Sequence, residues 1–108
     1  MKRGEICTVV TSGDYGKPRP AVIIQSQLFE ALESFTVLPI TSTLVEAPLL
    51  RFTIEPTPKN GLLTHSQIMI DKILTVRRQR LGKVIGELDA TALTEIERRL
   101  ALFLGLAR

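Results

Sequence analysis

The sequence predicts a small, mainly β protein of the α+β class: an antiparallel β-barrel or curled sheet with one short helix and a C-terminal helix. Three observations carry this reading. Short β-rich runs recur between Gly- and Pro-rich turns along residues 5–88. Only the C-terminal segment has the 3.6-residue spacing of an amphipathic helix. The 108 residues are 44% hydrophobic but only 5% aromatic, with no Trp. The core must therefore rest on Leu, Ile and Val, packed in one domain taken as residues 1–108.

The elements follow in order. Glu5–Thr11, with its Thr and Val, is the first strand. Ser12 to Pro20 holds two Gly and two Pro in nine residues and is a loop. Ala21–Gln25 is a continuous apolar run, as in a strand buried on both faces. Ser26 caps a short helix over Gln27–Leu32, with Glu30 and Glu33 outward. Phe35–Ile40 is a third strand, irregular or at an edge where Pro39 interrupts it. Thr41–Pro48 is a loop. Arg51–Glu55 alternates and is a half-exposed strand. Pro56–Gly61 is a turn cluster containing Asn-Gly. Ser66–Ile70, Ile73–Val76 and Leu81–Leu88 are further strands. The final helix starts at an Asp89 N-cap, presents Leu93, Ile96, Leu100, Phe103 and Leu104 as one apolar stripe, and stops at Gly105.

Several classes are excluded at once. A single Cys cannot form an intramolecular disulfide, and one Cys with one His gives no recognisable zinc site, so neither metal nor cofactor is expected. No apolar run approaches the roughly 18 residues of a membrane span. Met1–Glu5 lacks the apolar core of a secretory signal, so the expectation is a cytoplasmic protein without a membrane partner. No P-loop, G-x-S-x-G, H-E-x-x-H or dinucleotide fingerprint is present.

The net charge of +3 is unevenly placed. Residues 1–71 carry six bases and seven acids, and residues 87–108 three bases and four acids. Residues 72–86 carry Lys72, Arg77, Arg78, Arg80 and Lys83 with no acid. A basic stripe of this kind suits a polyanion such as nucleic acid, or else it is a solvated face or one that meets an acidic protein.

Arg19 stands between Pro18 and Pro20, which stiffen the backbone and hold its side chain in one direction. A guanidinium held that way suits a phosphate or a developing oxyanion; the alternative is an ion pair with a carboxylate such as Asp14. Thr41 and Ser42 end a strand, where hydroxyls can face a groove. His65 is the only imidazole, and either titrates usefully or is a surface residue. Asp71 is either an acid–base group or an ion-pair partner. Cys7, inside an apolar strand, is a buried small hydrophobe.

Five segments in this order resemble the MazF/PemK family of toxin ribonucleases. They are Arg3-Gly4-Glu5-Ile6, Lys17 to Gln25, Pro39-Ile40-Thr41-Ser42, Ile70 to Val76, and Arg80-Leu81-Gly82-Lys83 with Ile85-Gly86. The resemblance implies an SH3-like barrel and a homodimer. It implies cleavage of single-stranded RNA at short sequences without metal, through a 2′,3′-cyclic phosphate. It also implies an antitoxin protein with a dimerising DNA-binding part and an acidic tail. Arg19 matches the family's catalytic arginine and Thr41 its catalytic threonine, while Asp71 matches an acidic position that some members use. Lys17, Ser42, His65, Lys72, Arg77, Arg78 and Arg80 are then the RNA-binding candidates, with Arg19 and the bases of 72–80 forming one groove. Three positions depart from the pattern: Cys7 stands where many members have Trp, Leu74 where many have Arg, and Met69 where one branch has a catalytic Arg. A competing reading is a non-catalytic inhibitor of DNA gyrase on the same fold, like the CcdB toxins. The C-terminal residues of those gyrase poisons are not found in Leu102–Arg108.

Overall fold

The computed structural model describes residues 1–10 and 17–107. The strands are β1 (Glu5–Val9), β2 (Arg19–Ile23), β3 (Ser34–Thr41), β4 (Arg51–Ile54), β5 (Ser66–Met69), β6 (Leu74–Arg77) and β7 (Leu81–Glu87), followed by helix α1 (Ala90–Phe103). All the pairings are antiparallel, in the order β4-β5-β3-β2-β1-β7, with β6 on β3. No ladder joins β4 to β7 among the described residues, so the architecture is a curled sheet rather than a closed barrel. No helix in the described residues is long and apolar enough to cross a membrane.

The prolines explain where the ladders stop. The Ile24 N–H donates to the Thr36 carbonyl, so β2 and β3 exchange hydrogen bonds at alternate pairs in register with that one. In that register Pro20 should supply the next N–H toward β3. It has none, and the ladder ends at Ala21↔Pro39. The strand is nevertheless shifted by two residues from the apolar run Ala21–Gln25, with the same length of five. It begins at Arg19 because β1 still pairs with it there, Thr8 opposite Pro20 and Val9 opposite Arg19. On the other flank of β3, β6 pairs with Ser34–Val37 and β5 with Ile40 and Thr41, leaving Leu38 and Pro39 between the two ladders. The irregularity expected at Pro39 is this gap, although the strand itself lies inside the sheet.

Alternation along these strands fills two buried clusters. Ile6, Val22, Leu38, Ile40 and Ile68 face Ile96 and Leu100 of α1. Cys7, Val9, Ala21, Ile23, Phe35, Val37 and Val76 form the second cluster, so β2 is covered on both faces as its apolar run required. Burial pushes the Cys7 thiol up to about 11, with help from the Glu5 charge, and leaves it an unreactive core residue. The Arg3-Gly4 opening has structural duties. Arg3 donates to the Ile24 carbonyl and pairs with Glu97 of α1, while Gly4 bonds to both Ile23 and Leu88.

Two local expectations change. The short helix over Gln27–Leu32 is a single 3-10 turn at Gln27–Phe29. Its backbone bonds are all of the i to i+3 type, because six residues between two strands cannot propagate an α-helix. Ser26 caps it as expected, accepting from the Leu28 N–H. In α1, Asp89 accepts from the Ala92 N–H, and the helix closes in a Schellman motif at Gly105 (φ 76°), with Leu106 bonded to Ala101 and Gly105 to Leu102. The expected apolar stripe splits. Leu93, Ile96 and Leu100 pack inward, but Phe103 and Leu104 are exposed.

Candidate active site

The residues beyond the end of the β2–β3 ladder build the site. Arg19 begins β2 and Thr41 ends β3, and both lie beyond the last β2–β3 pair, Ala21↔Pro39. Both line one cleft of about 370 Å³, whose remaining wall is Val9, Pro20, Ala21, Val37, Pro39, Ile40, Met69 and Leu74. Arg19 is the single charged group among the described residues of that lining. Met69 and Leu74, two of the departures from the family pattern, are apolar parts of this wall. The Thr41 hydroxyl oxygen accepts from the Thr43 N–H at 3.1 Å, which leaves its proton to be donated elsewhere. Gln67, the β5 residue paired with Thr41, is a buried polar side chain that sequence reading did not single out. Its amide holds the loop after Thr41.

A second cleft of about 610 Å³ meets the first at Arg19, Pro20 and Ile40. Lys17 and Ser42 line it, with Thr8, Leu62, Thr64 and Ser66. Its wall is held by a tight knot at the Asn-Gly turn. The Asn60 side chain accepts from the Thr57 and Leu62 N–H groups and donates to the Glu55 carbonyl. Asn60 is buried although Asn-Gly reads as a surface turn, so a satisfied buried amide was the signal available in retrospect.

The remaining candidates lie elsewhere. Asp71, on the 3-10 turn Ile70–Lys72, bonds Arg51 at 2.5 Å and faces Lys72 at 3.7 Å; it lines neither cleft. His65 is exposed, 3.4 Å from Glu55, and lines neither cleft. Arg78 is a structural clamp: its guanidinium donates to the Glu30 and Leu32 carbonyls and lies 5.0 Å over the Phe35 ring. Lys72, Arg77 and Arg80 are exposed, but neither cleft includes them. Neither cleft thus has Arg19 and these bases together among its lining residues. Asp14, the alternative partner for Arg19, lies outside the described residues, as do Thr11 at the end of the first predicted strand and most of the predicted loop before Pro18.

These pairings predict an acid-side stability loss. Partial burial pushes the Asp71 carboxyl up, but the hydrogen bond and charge of Arg51, with Lys72, hold it below its ordinary 3.8. Hydrogen bonds from Arg98 and Arg99 bring Glu95 down to about 2 from 4.5. A carboxylate held low in the fold contributes stability that is full above its unfolded value and is lost as pH falls through its folded value. Thermal midpoints should therefore be flat above about pH 5 and fall from there toward pH 2. Asp71→Asn should lower the midpoint at pH 7 and flatten part of that slope. Circular dichroism melts across this range check it, and an unchanged acid slope in Asp71→Asn would contradict the pairing.

A small antiparallel sheet with one cation and one hydroxyl in a cleft, and a second basic cleft adjoining, defines a small β-fold protein with a site suited to a polyanion. The sequence profile of the PemK-like, MazF-like toxins of type II toxin-antitoxin systems matches residues 2–104. The chain is 49% identical over 108 residues to the probable endoribonuclease MazF of Mycolicibacterium smegmatis, covering 99% of both chains. It superposes with a TM-score of 0.82 on an endoribonuclease in complex with its cognate antitoxin from a mycobacterial species, at 21% identity over 100% of this chain and 98% of that one. It superposes equally well, with a TM-score of 0.82, on the Mycobacterium tuberculosis toxin MazF-mt6, at 24% identity over 96% and 99%. The chain belongs to the MazF/PemK family of toxins.

Proposed function

We propose that this MazF-type endoribonuclease cuts single-stranded RNA in the cleft between Arg19 and Thr41, without a metal ion. The observation that carries the reading is that Arg19, the one charged residue of the described lining, and the Thr41 hydroxyl share one cleft beyond the last β2–β3 pair. The 2′-oxygen attacks its own phosphorus, the bond to the 5′-oxygen breaks, and a 2′,3′-cyclic phosphate and a 5′-hydroxyl result. The Arg19 guanidinium neutralises charge on the phosphorane and on the departing oxygen. The Thr41 hydroxyl donates to a phosphate oxygen, its own oxygen being already supplied by the Thr43 N–H. Lys17 and Ser42 continue the path of the strand into the second cleft. Among its described residues neither cleft has a His, Cys, Asp or Glu.

The setting is the cytoplasm, where RNA is available. The natural partner is an antitoxin with an acidic tail, which the basic, apolar-walled clefts would accommodate. The exposed Leu102, Phe103, Leu104 and Leu106 supply apolar surface for a homodimer. The test is cleavage of a single-stranded RNA in EDTA, with and without the cognate acidic tail, alongside the same sequence as DNA. Undiminished cutting in EDTA, intact DNA and competitive inhibition by the tail are expected. Loss of cutting in EDTA with recovery in magnesium would overturn the reading, and uncompetitive or absent inhibition would place the antitoxin elsewhere.

A further inference from the structure

We propose that Gln67 is a positioning residue for Thr41: its buried amide clamps Val45 and so fixes the loop whose first turn orients the Thr41 hydroxyl. The proposal rests on the reading of Thr41 as a catalytic group. Gln67 is paired with Thr41 across β5 and β3, yet its side chain spends its hydrogen bonds on the loop. The Val45 N–H donates to Gln67 Oε1 at 3.0 Å, and Gln67 Nε2 donates back to the Val45 carbonyl at 3.0 Å. The same Nε2 reaches Thr53 Oγ1 on β4 at 3.2 Å. One side chain thus presents a strand-like pair of contacts to a loop residue that has no strand of its own there.

The consequence reaches Thr41 through the backbone. Between Thr41 and Val45 the chain makes one tight turn, closed by the Thr43 N–H on Thr41 Oγ1. That bond determines which way the hydroxyl proton can point. It persists only while Thr43 stays over Thr41, and the Val45 clamp two residues later is what holds it there. At its far end the loop is anchored separately, by Arg99 donating to the carbonyls of Pro48 at 2.5 Å and Arg51 at 3.0 Å. Those contacts come from α1 and leave the Thr41 end to Gln67. A buried polar side chain with two of its three hydrogen bonds on one loop residue fits such a role better than a role in core packing.

The experiment is a double-mutant cycle in single-turnover RNA cleavage, with folding followed by circular dichroism. Gln67→Leu keeps the volume and removes all three bonds. Gln67→Glu keeps the acceptor for the Val45 N–H and loses both donations, which provides a milder variant if the first folds poorly. Because small displacements of a positioned group cost up to about 100-fold, kcat should fall by about 10-fold in Gln67→Leu and by less in Gln67→Glu, with KM within about 2-fold. In a Thr41→Ala background the same changes should have no further effect beyond about 2-fold, since the group they position is gone. Equal losses in both backgrounds, or an unchanged kcat in folded Gln67→Leu and Gln67→Glu, would overturn the proposal while leaving the cleft as the site. A wild-type rate in Thr41→Ala alone would overturn the site reading and this proposal together.

Discussion

Arg19→Ala should lower the RNA cleavage rate by about 100-fold or more, the loss seen when a preorganised donor is removed from a charge-developing transition state. The size of the effect follows from the lining of the cleft. Arg19 is the one charged side chain among its described residues, and Met69 and Leu74 offer no substitute. Arg19→Lys should not restore the rate, because an ammonium is a point charge and cannot span two phosphate oxygens as a planar fork does. Thr41→Ala should cost less, since it removes one neutral donor. Arg19 is exposed and sits where the β2–β3 ladder has already ended, so all three variants should keep the wild-type circular dichroism spectrum. Single-turnover kinetics on a short RNA supply the measurement. Wild-type rates in both alanine variants would place the chemistry elsewhere.

Gly61→Ala should be the most damaging small substitution for stability. Gly61 has φ 70°, and a Cβ there would overlap the Ile85 carbonyl, a backbone atom that cannot rotate away. The left-handed conformation costs about 1–2 kcal/mol for an L-residue and overpacking about 1–3 kcal/mol more. At about 4–8 °C per kcal/mol for a domain near this size, the melting temperature should drop by more than about 10 °C. Gly105→Ala is the control. Its φ of 76° carries the same conformational cost, but a Cβ would meet nothing within 4 Å, so its loss should be the smaller by far. Comparable melting temperatures for the two variants would show that the turn yields to relieve the clash. The turn walls the second cleft, so Gly61→Ala should also raise KM at temperatures where it remains folded.

How much of this could be seen beforehand depends on whether the signal was local. Asp89 and Gly105 mark the ends of α1 because capping is decided within a turn of the chain. Pro39 predicted its own irregularity because a missing N–H has the same consequence in any sheet. Arg19 and Thr41 stood out through Pro18, Pro20 and the strand end. Their juxtaposition, however, is a matter of register between β2 and β3, which no local pattern states. In the basic run of 72–83, the engagement of individual residues was hidden for a related reason. Sequence proximity suggested one groove, whereas Arg78 turns back onto the Glu30 and Leu32 carbonyls and Asp71 is taken up by Arg51 of β4. Both partners are more than 15 residues away along the chain, as is Val45 from Gln67. Such long-range polar pairings leave no periodicity to read.

In the proposed reaction, the cleft lined by Arg19 and Thr41 directs a 2′-hydroxyl onto the adjacent phosphodiester. End-group analysis of the cleavage products by mass spectrometry, in EDTA, tests it most directly. A 2′,3′-cyclic phosphate on the upstream fragment and a 5′-hydroxyl on the downstream one are predicted, with both products lost in Arg19→Ala and no cutting of an RNA carrying a single 2′-deoxy sugar at the scissile position. A 5′-phosphate with a 3′-hydroxyl, or continued cleavage of the 2′-deoxy substrate, would mean that water or another nucleophile attacks, and would contradict the account.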